Sequence, residues 1–273
     1  DTISGDAGAD IVFGDHGIVI QAIPDAQKLL NVRQVADITT DQPGNGADDV
    51  IDGGAGRDRL LGGYGADRID GGADADLIFG DQGHLSYVSG DYYGGTDADL
   101  GTLDLVESID TLAVYGGADV ITDDDSDDLI IGGQGDDTID AGGGQNLVFG
   151  DHGRILGVDA GANLPPRSTL DDDYQIQVLG LVTSIDWGTL NGAGNEYGNG
   201  DDVITTGSGR DIVIGGGGSD YIDAYGSGSS GAAADGNNLV IGDHGLVDFL
   251  AEELLQGSTA NPVNTDDIDR VWS

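Results

Sequence analysis

The feature that most constrains this chain is a period of nine residues. Residues 53–79 read GGAGRDRLL, GGYGADRID and GGADADLIF without a gap. Residues 132–149 give GGQGDDTID and AGGGQNLVF, and residues 206–223 give TGSGRDIVI and GGGGSDYID. The opening DTISGDAGADIVF is the tail of the same pattern. Self-similarity at a fixed period points to stacked repeats, each contacting only its neighbours.

Each nine has an internal logic. Its first five positions are rich in glycine, which suits a tight turn. The sixth is an acid or amide: Asp49, Asp58, Asp67 and Asp76, then Asp119, Asp128, Asp137 and Asn146, then Asp202, Asp211, Asp220 and Asn238. Asp1 and Asp10 take this place in the opening tail. The eighth position is always aliphatic, as in Ile51, Leu60, Ile69, Ile78, Ile121, Ile130, Ile139, Val148, Ile204, Val213, Ile222 and Val240. One inward aliphatic per short strand and one turn per nine predict a coil of two strands and two turns, about 18 residues long.

Composition agrees with an all-β chain. Of the 51 acidic residues 47 are Asp, Gly contributes another 51, and neither residue suits helix interiors. The net charge of −42 would repel nucleic-acid phosphates and anionic membranes, so neither is expected as a partner. No apolar run approaches the roughly 18 residues of a membrane-spanning helix, so membrane insertion is not expected. Without Cys there is neither a disulfide nor a thiolate metal site. High charge and few aromatics would ordinarily mean disorder. Yet 38% of the residues are apolar and the aliphatics are evenly spaced, so packing needs something to neutralise the acid. A divalent cation fits that need.

The nine-residue phrase closely resembles the haemolysin-type calcium-binding repeat, the RTX nonapeptide GGxGxDxUx. The resemblance implies an all-β fold, a right-handed parallel β-roll or β-solenoid, here in blocks interrupted by β-hairpin insertions. It implies several Ca2+ ions held between turns stacked on one side, with position-six residues two nonapeptides apart facing one ion. The implied pairs are Asp49 with Asp67, Asp58 with Asp76, Asp119 with Asp137 and Asp202 with Asp220. Asp128 with Asn146 and Asp211 with Asn238 follow with an amide substituted. Turn carbonyls would complete the six to eight oxygens that calcium prefers. An EF-hand is excluded, since DDDSDDLIIGG (123–133) offers no Glu. Asp123, Asp124 and Asp125 replace glycines in that turn and predict a local distortion.

A longer phrase, ADIVFGDHG, ADLIFGDQG, QNLVFGDHG and NNLVIGDHG, recurs with Asp15, Asp81, Asp151 and Asp243 spaced 66, 70 and 92 residues apart. These four aspartates are further candidate calcium ligands, at the ends of their strands. After each phrase come β-branched, alternating runs: 17–23 with 30–39, 84–88 with 103–110, and 154–158 with 174–186. They read as β-hairpins, with a helix as the alternative for 248–257. The expected organisation is the end of a first roll unit (1–17), then hairpin-plus-roll units at 18–83, 84–153 and 154–245. The last of these carries an extra loop at 224–238, and 246–273 begins a further unit cut short. Gaps of 39, 43 and 56 between flanking position-six residues are not multiples of nine, so spacing alone leaves continuity of the roll open. His16, His152 and His244 share one place in the phrase, taken by Gln82 in the second copy and followed there by His84. Because Gln is no equivalent metal ligand, a local role in ending the roll is the better expectation.

No GxSxG, HExxH or Cys nucleophile occurs, and Asp at every turn is a ligand pattern, so no enzyme is expected. The expected function is an extracellular calcium-binding structural or adhesive segment that folds on calcium and self-associates into a fibre, surface layer or adhesin stalk. By resemblance it would leave a Gram-negative cell by type I secretion. The alternative is a secretion and folding module of a toxin or hydrolase whose active domain lies outside the segment. Replacing Asp67 by Ala should raise the calcium needed for folding far more than Asp25→Ala, in a connecting segment. Equal shifts in a calcium titration followed by circular dichroism would overturn the position-six assignment.

Overall fold

The computed structural model describes residues 1–21, 35–88, 103–157, 179–185, 199–224 and 238–248. Among them, regular structure is all strand, arranged as three seven-stranded sheets. Numbered in chain order, one parallel sheet holds β1 (Thr2–Ser4), β5 (Val50–Ala55), β7 (Arg68–Ala73), β11 (Val120–Thr122), β13 (Thr138–Asp140), β17 (Val203–Thr205) and β19 (Tyr221–Asp223). A second holds β2 (Ile11–Phe13), β6 (Arg59–Leu61), β8 (Leu77–Phe79), β12 (Leu129–Ile131), β14 (Leu147–Phe149), β18 (Ile212–Ile214) and β20 (Leu239–Ile241). The third is antiparallel, in spatial order β21 (Leu246–Asp248), β16 (Leu179–Ser184), β15 (Gly153–Gly157), β10 (Leu105–Ser108), β9 (Gly83–Ser86), β4 (Val35–Thr40) and β3 (Gly17–Gln21). We call these the outer, middle and hairpin sheets.

The chain alternates between outer and middle sheets, one strand per nonapeptide, which is the β-roll. Val50 pairs with Arg68 and Arg59 with Leu77. The roll is continuous past every insertion: Arg68 pairs with Val120, Leu77 with Leu129, Thr138 with Val203 and Leu147 with Ile212. Each inserted segment leaves at the end of a middle-sheet strand and returns to the next coil in register. The excess residues near 224–238 instead follow the outer strand β19; β18 and β20 still pair directly, and 225–237 lie outside the described residues. The helix considered for 248–257 falls almost wholly outside them too.

Three layers explain the burial. Position-eight aliphatics such as Ile51, Leu60, Ile69, Ile78, Ile121 and Ile130 form a core between outer and middle sheets. The outer strands expose the flanking residues, as in Val120 and Thr138, so only one side chain in three is inward. The middle strands β8, β12 and β14 are buried on both faces. Their positions seven and nine, including Leu77, Phe79, Leu129, Ile131, Leu147 and Phe149, pack with Ile38, Leu85, Val106, Ile155 and Val182 of the hairpin sheet in a second core. The insertions therefore roof the middle sheet.

Their frequency has a geometric reason. Neighbouring strands lie about 4.8 Å apart in parallel and antiparallel sheets alike. Each hairpin adds two strands to the roof for every two coils beneath it, so roof and roll advance together. Successive hairpins pair through β4–β9, β10–β15 and β16–β21. The last glycine of each long phrase lets chain and core meet. A Cβ at Gly83 would lie 2.6 Å from the Phe79 ring, and one at Gly153 would lie 2.7 Å from that of Phe149. Backbone N–H groups of Gly83, Gly153 and Gly245 donate to hydroxyls of Thr40, Ser108 and Ser184, at 3.2, 3.2 and 2.9 Å, which ties each hairpin to the next.

Truncation of Phe149 to Ala should cost about 3–5 kcal/mol of unfolding free energy in saturating calcium. Val120→Ala on the outer face should change it by about 0.5 kcal/mol or less. Denaturant unfolding of both variants measures the difference, and similar values would contradict a buried middle sheet.

Candidate metal centre

Two rows of turns flank the roll, and position six stands in each turn. The first row, leading into the outer sheet, stacks Asp49, Asp67, Asp119, Asp137, Asp202 and Asp220. One oxygen of each acts within the backbone: Asp67 Oδ1 accepts the Asp49 N–H at 2.7 Å, Asp119 Oδ1 that of Asp67 at 2.7 Å, and Asp137 Oδ1 that of Asp119 at 2.8 Å. Asp202 and Asp220 continue the ladder, at 2.8 and 3.1 Å. The exposed amino group of Asp1 donates to Asp49 Oδ1 in the place of such an N–H.

The second oxygen is left over. Oδ2 of Asp49, Asp67, Asp119, Asp137 and Asp202 is buried without a hydrogen-bond partner. Each faces a cradle made by glycine at position one. A Cβ at Gly132 would sit 2.5 Å from Asp137 Oδ2 and against the Gly150 carbonyl, and Gly14, Gly62, Gly80, Gly150 and Gly215 repeat the arrangement. Carboxylate and carbonyl oxygens thus converge where no side chain fits. An oxygen-only donor set suits a hard cation such as calcium.

The second row, leading into the middle sheet, begins the same way and then changes. Asp58 Oδ1 accepts the Asp10 N–H, Asp76 Oδ1 that of Asp58 and Asp128 Oδ1 that of Asp76, at 2.7, 2.7 and 3.0 Å. Oδ2 of Asp10, Asp58 and Asp76 lacks a partner, and a Cβ at Gly53 would lie 2.8 Å from Asp58 Oδ2. Farther along, the chain fills its own cradles. Asn146 Oδ1 accepts the Asp128 N–H at 2.9 Å, and its Nδ2 donates to the Ala141 and Gly143 carbonyls, both at 3.3 Å. Thr206 Oγ1 donates to Asp211 Oδ2 at 2.7 Å, and Asn238 Nδ2 donates to the Ala224 carbonyl. The structure thus brings every pair of position-six residues into register, including Asp211 with Asn238, whose Oδ1 accepts the Asp211 N–H at 2.9 Å. It gives the turn-facing atoms of Asn146, Asp211 and Asn238 hydrogen-bond partners from within the chain.

The aspartates of the long phrase sit differently. Both oxygens of Asp15 accept backbone N–H groups, from Ala47 at 3.2 Å and Tyr64 at 2.7 Å. Asp81 accepts from Gly117 at 3.2 Å and from Gln134, and Asp151 from Gly200 at 2.9 Å and from Gly217. Each spans the turn by which the chain re-enters the roll and the turn after it. Asp243 holds the same place after β20. The sequence signal for this role was the recurrence of the phrase only where a hairpin departs.

The histidine position closes the hairpin base through the backbone. The carbonyls of His16, Gln82 and His152 accept the N–H groups of Asp41, Ile109 and Ile185 at 2.9, 3.1 and 3.1 Å, so Gln serves as well as His. His152 is buried, and burial pushes its imidazole down to about 3, partly opposed by the Asn199 amide. His84 instead lies on the hairpin sheet, 3.2 Å from Glu107 Oε1 and 3.3 Å from Asp37 Oδ1; the Glu107 hydrogen bond foremost raises its pKa.

Electrostatics mark the ladders as unbalanced in the bare protein. Burial, with lesser repulsion from carboxylates stacked above and below, pushes Asp67 and Asp202 up to about 7 and Asp76 to about 8. Asp119 and Asp137 are raised well above the usual range for the same reasons. Burial likewise pushes Asp151 up to about 9 despite its N–H donors.

One known family matches the chain: the RTX calcium-binding nonapeptide repeat, in four copies over residues 1–18, 52–84, 109–153 and 196–226. These segments hold all the position-six residues just described except Asp49 and Asn238. No curated protein and no solved structure matches the chain.

A raised folded-state pKa means that the bare fold holds protons which the unfolded chain has released. Its stability contribution is complete below the unfolded carboxyl value near 4 and is lost as pH rises through about 7 to 8. The calcium-depleted chain should therefore show more β-structure at pH 4.5 than at pH 8, by circular dichroism. Saturating calcium should flatten this dependence, and a calcium-free signal that strengthens with pH would contradict it.

Proposed function

From a chain that carries RTX calcium-binding nonapeptide repeats, with a β-roll built on them, we propose an extracellular structural segment that folds when calcium enters its turn rows. The observation that carries this reading is the set of buried, partnerless Oδ2 atoms facing glycine cradles. Buried carboxylates in stacks repel one another and are stable only when neutralised. The ligands are Asp49, Asp67, Asp119, Asp137, Asp202 and Asp220 in the first row and Asp10, Asp58 and Asp76 in the second, joined by turn carbonyls. Asn146, Asp211 with Thr206, and Asn238 replace the cation by internal donors, and Asp15, Asp81 and Asp151 act as backbone staples.

Calcium supplies positive charge and six to eight oxygen contacts. The chain's own part is to present the oxygens at fixed spacing and to exclude side chains from the cradles. Because the ligands converge only in the coiled chain, binding and folding are one equilibrium, and stability follows the calcium concentration by mass action. A chain of this kind stays unfolded in calcium-poor cytosol and folds outside, in keeping with type I secretion from a Gram-negative cell. Aspartates recur at every turn as ligands and form no unique acid–base pair, so the role is structural and not catalytic. The repeating architecture favours a stalk, fibre or surface layer, with like units in contact.

Far-UV circular dichroism and light scattering, titrated with calcium from a chelated start, test this. A coil-to-β transition with growth of long particles is the expected result. Folding without growth would leave a monomeric stalk or secretion module, and β-structure already complete in excess chelator would overturn calcium-driven folding.

A further inference from the structure

One turn in the second row departs from its neighbours. Residues 123–128 read DDDSDD, so Asp123 and Asp124 stand where Gly53–Gly54 and Gly71–Gly72 stand in the preceding coils. The backbone follows suit. Gly54 and Gly72 have φ of 101° and 105°, whereas Asp124 lies outside the left-handed region and its Oδ1 accepts the Ser126 N–H at 2.8 Å.

Asp123 directs its carboxylate back toward the preceding coil. A Cβ at Gly71 would lie 2.5 Å from each Asp123 oxygen, where the corresponding Cβ at Gly53 faces Asp58 Oδ2 and a glycine carbonyl. The Asp123 carboxylate therefore stands in the cradle that Asp76 borders. Asp76 is fully buried, at 0% exposure, and its Oδ2 has no hydrogen-bond partner. Asp123 Oδ2 has none either. Candidate ligand oxygens of Asp123, Asp124 and Asp128 lie within 4.8 Å of one another. Two buried oxygens without donors, among four carboxylates, are the arrangement expected around a cation.

Resting on the calcium reading above, we propose that the 123–128 turn holds calcium in a site of a second type. Side-chain carboxylates of Asp123 and Asp124 there join Asp76 and Asp128 in place of turn carbonyls. More negative ligands bind calcium more tightly, so this site fills first. Its ligands come from coils on either side of the second insertion, with Asp76 and Asp128 separated by 52 residues. The first ion bound therefore closes a contact of long sequence separation across that insertion and nucleates the rest.

Calorimetric calcium titration of the whole chain tests this, beside Asp123→Gly, which restores the repeat's glycine, and Asp124→Asn, which keeps the side-chain volume. The parent should show one step at least about tenfold tighter than the others, weakened to the common level in both variants. Circular dichroism in saturating calcium should be unchanged in Asp124→Asn, which keeps the test open if Asp123→Gly fails to fold. An unaltered tight step would show that Asp123 and Asp124 do not hold the ion, and an added or tighter one in Asp123→Gly that Asp123 blocks the cradle; either would overturn the inference alone. No calcium uptake by the parent would overturn the calcium reading itself, and this site with it.

Discussion

The structure depends on a division of labour within one carboxylate. At position six, Oδ1 accepts the N–H of the coil before it and so sets the stacking register, as Asp67 does for Asp49. That bond turns Oδ2 into the cradle, where it meets no donor. Asparagine performs the first task equally well, as Asn146 shows toward Asp128. Its Nδ2 then satisfies carbonyls rather than joining them as a ligand. A one-atom change thus keeps the fold and removes the charge. The two turn rows differ accordingly: the first keeps carboxylates and glycines throughout, and the second passes from ligand to internal seal along its length.

The same division explains why a chain of such high charge can possess cores. Position-eight aliphatics pack between the parallel sheets and the hairpins cover the middle one. Apolar burial is therefore in place wherever the turns are neutralised, and the charge at the turns decides whether the apolar layers can form. The staples Asp15, Asp81 and Asp151 address another difficulty. A long insertion carries an entropic cost of closure, and each staple binds the returning turn with one oxygen and the turn after it with the other.

Much of this was legible in the sequence, because the period puts each role at a fixed place. Ile51, Ile69 and Ile121 announce the inner core, and the alternating runs after Asp15, Asp81 and Asp151 announce the hairpins. Continuity of the roll was not legible from spacing, since an insertion of any length can leave and return at one edge. A finer signal was present: outer strands carry Ile at the centre and a polar residue after it, as in RID, TID and VIT, whereas middle strands include LIF, LII and LVF. A strand apolar on both faces requires a cover on both, and the hairpins are that cover. The inward donors of Asn146 and Thr206 escaped notice because they depend on which oxygen the neighbouring coil has already claimed.

The commensurate pitch of roof and roll has a consequence for how such a protein changes length. Two coils and one hairpin form the smallest piece that can be added or removed without leaving an unroofed middle strand or an unsupported hairpin. An exchange made between two long phrases would transfer whole pieces of this kind, since each phrase marks the same point in the cycle. The molecule behaves as a ruler graduated in steps of two coils, about 9.6 Å each, and tandem duplication would alter its reach while leaving every interface as it was.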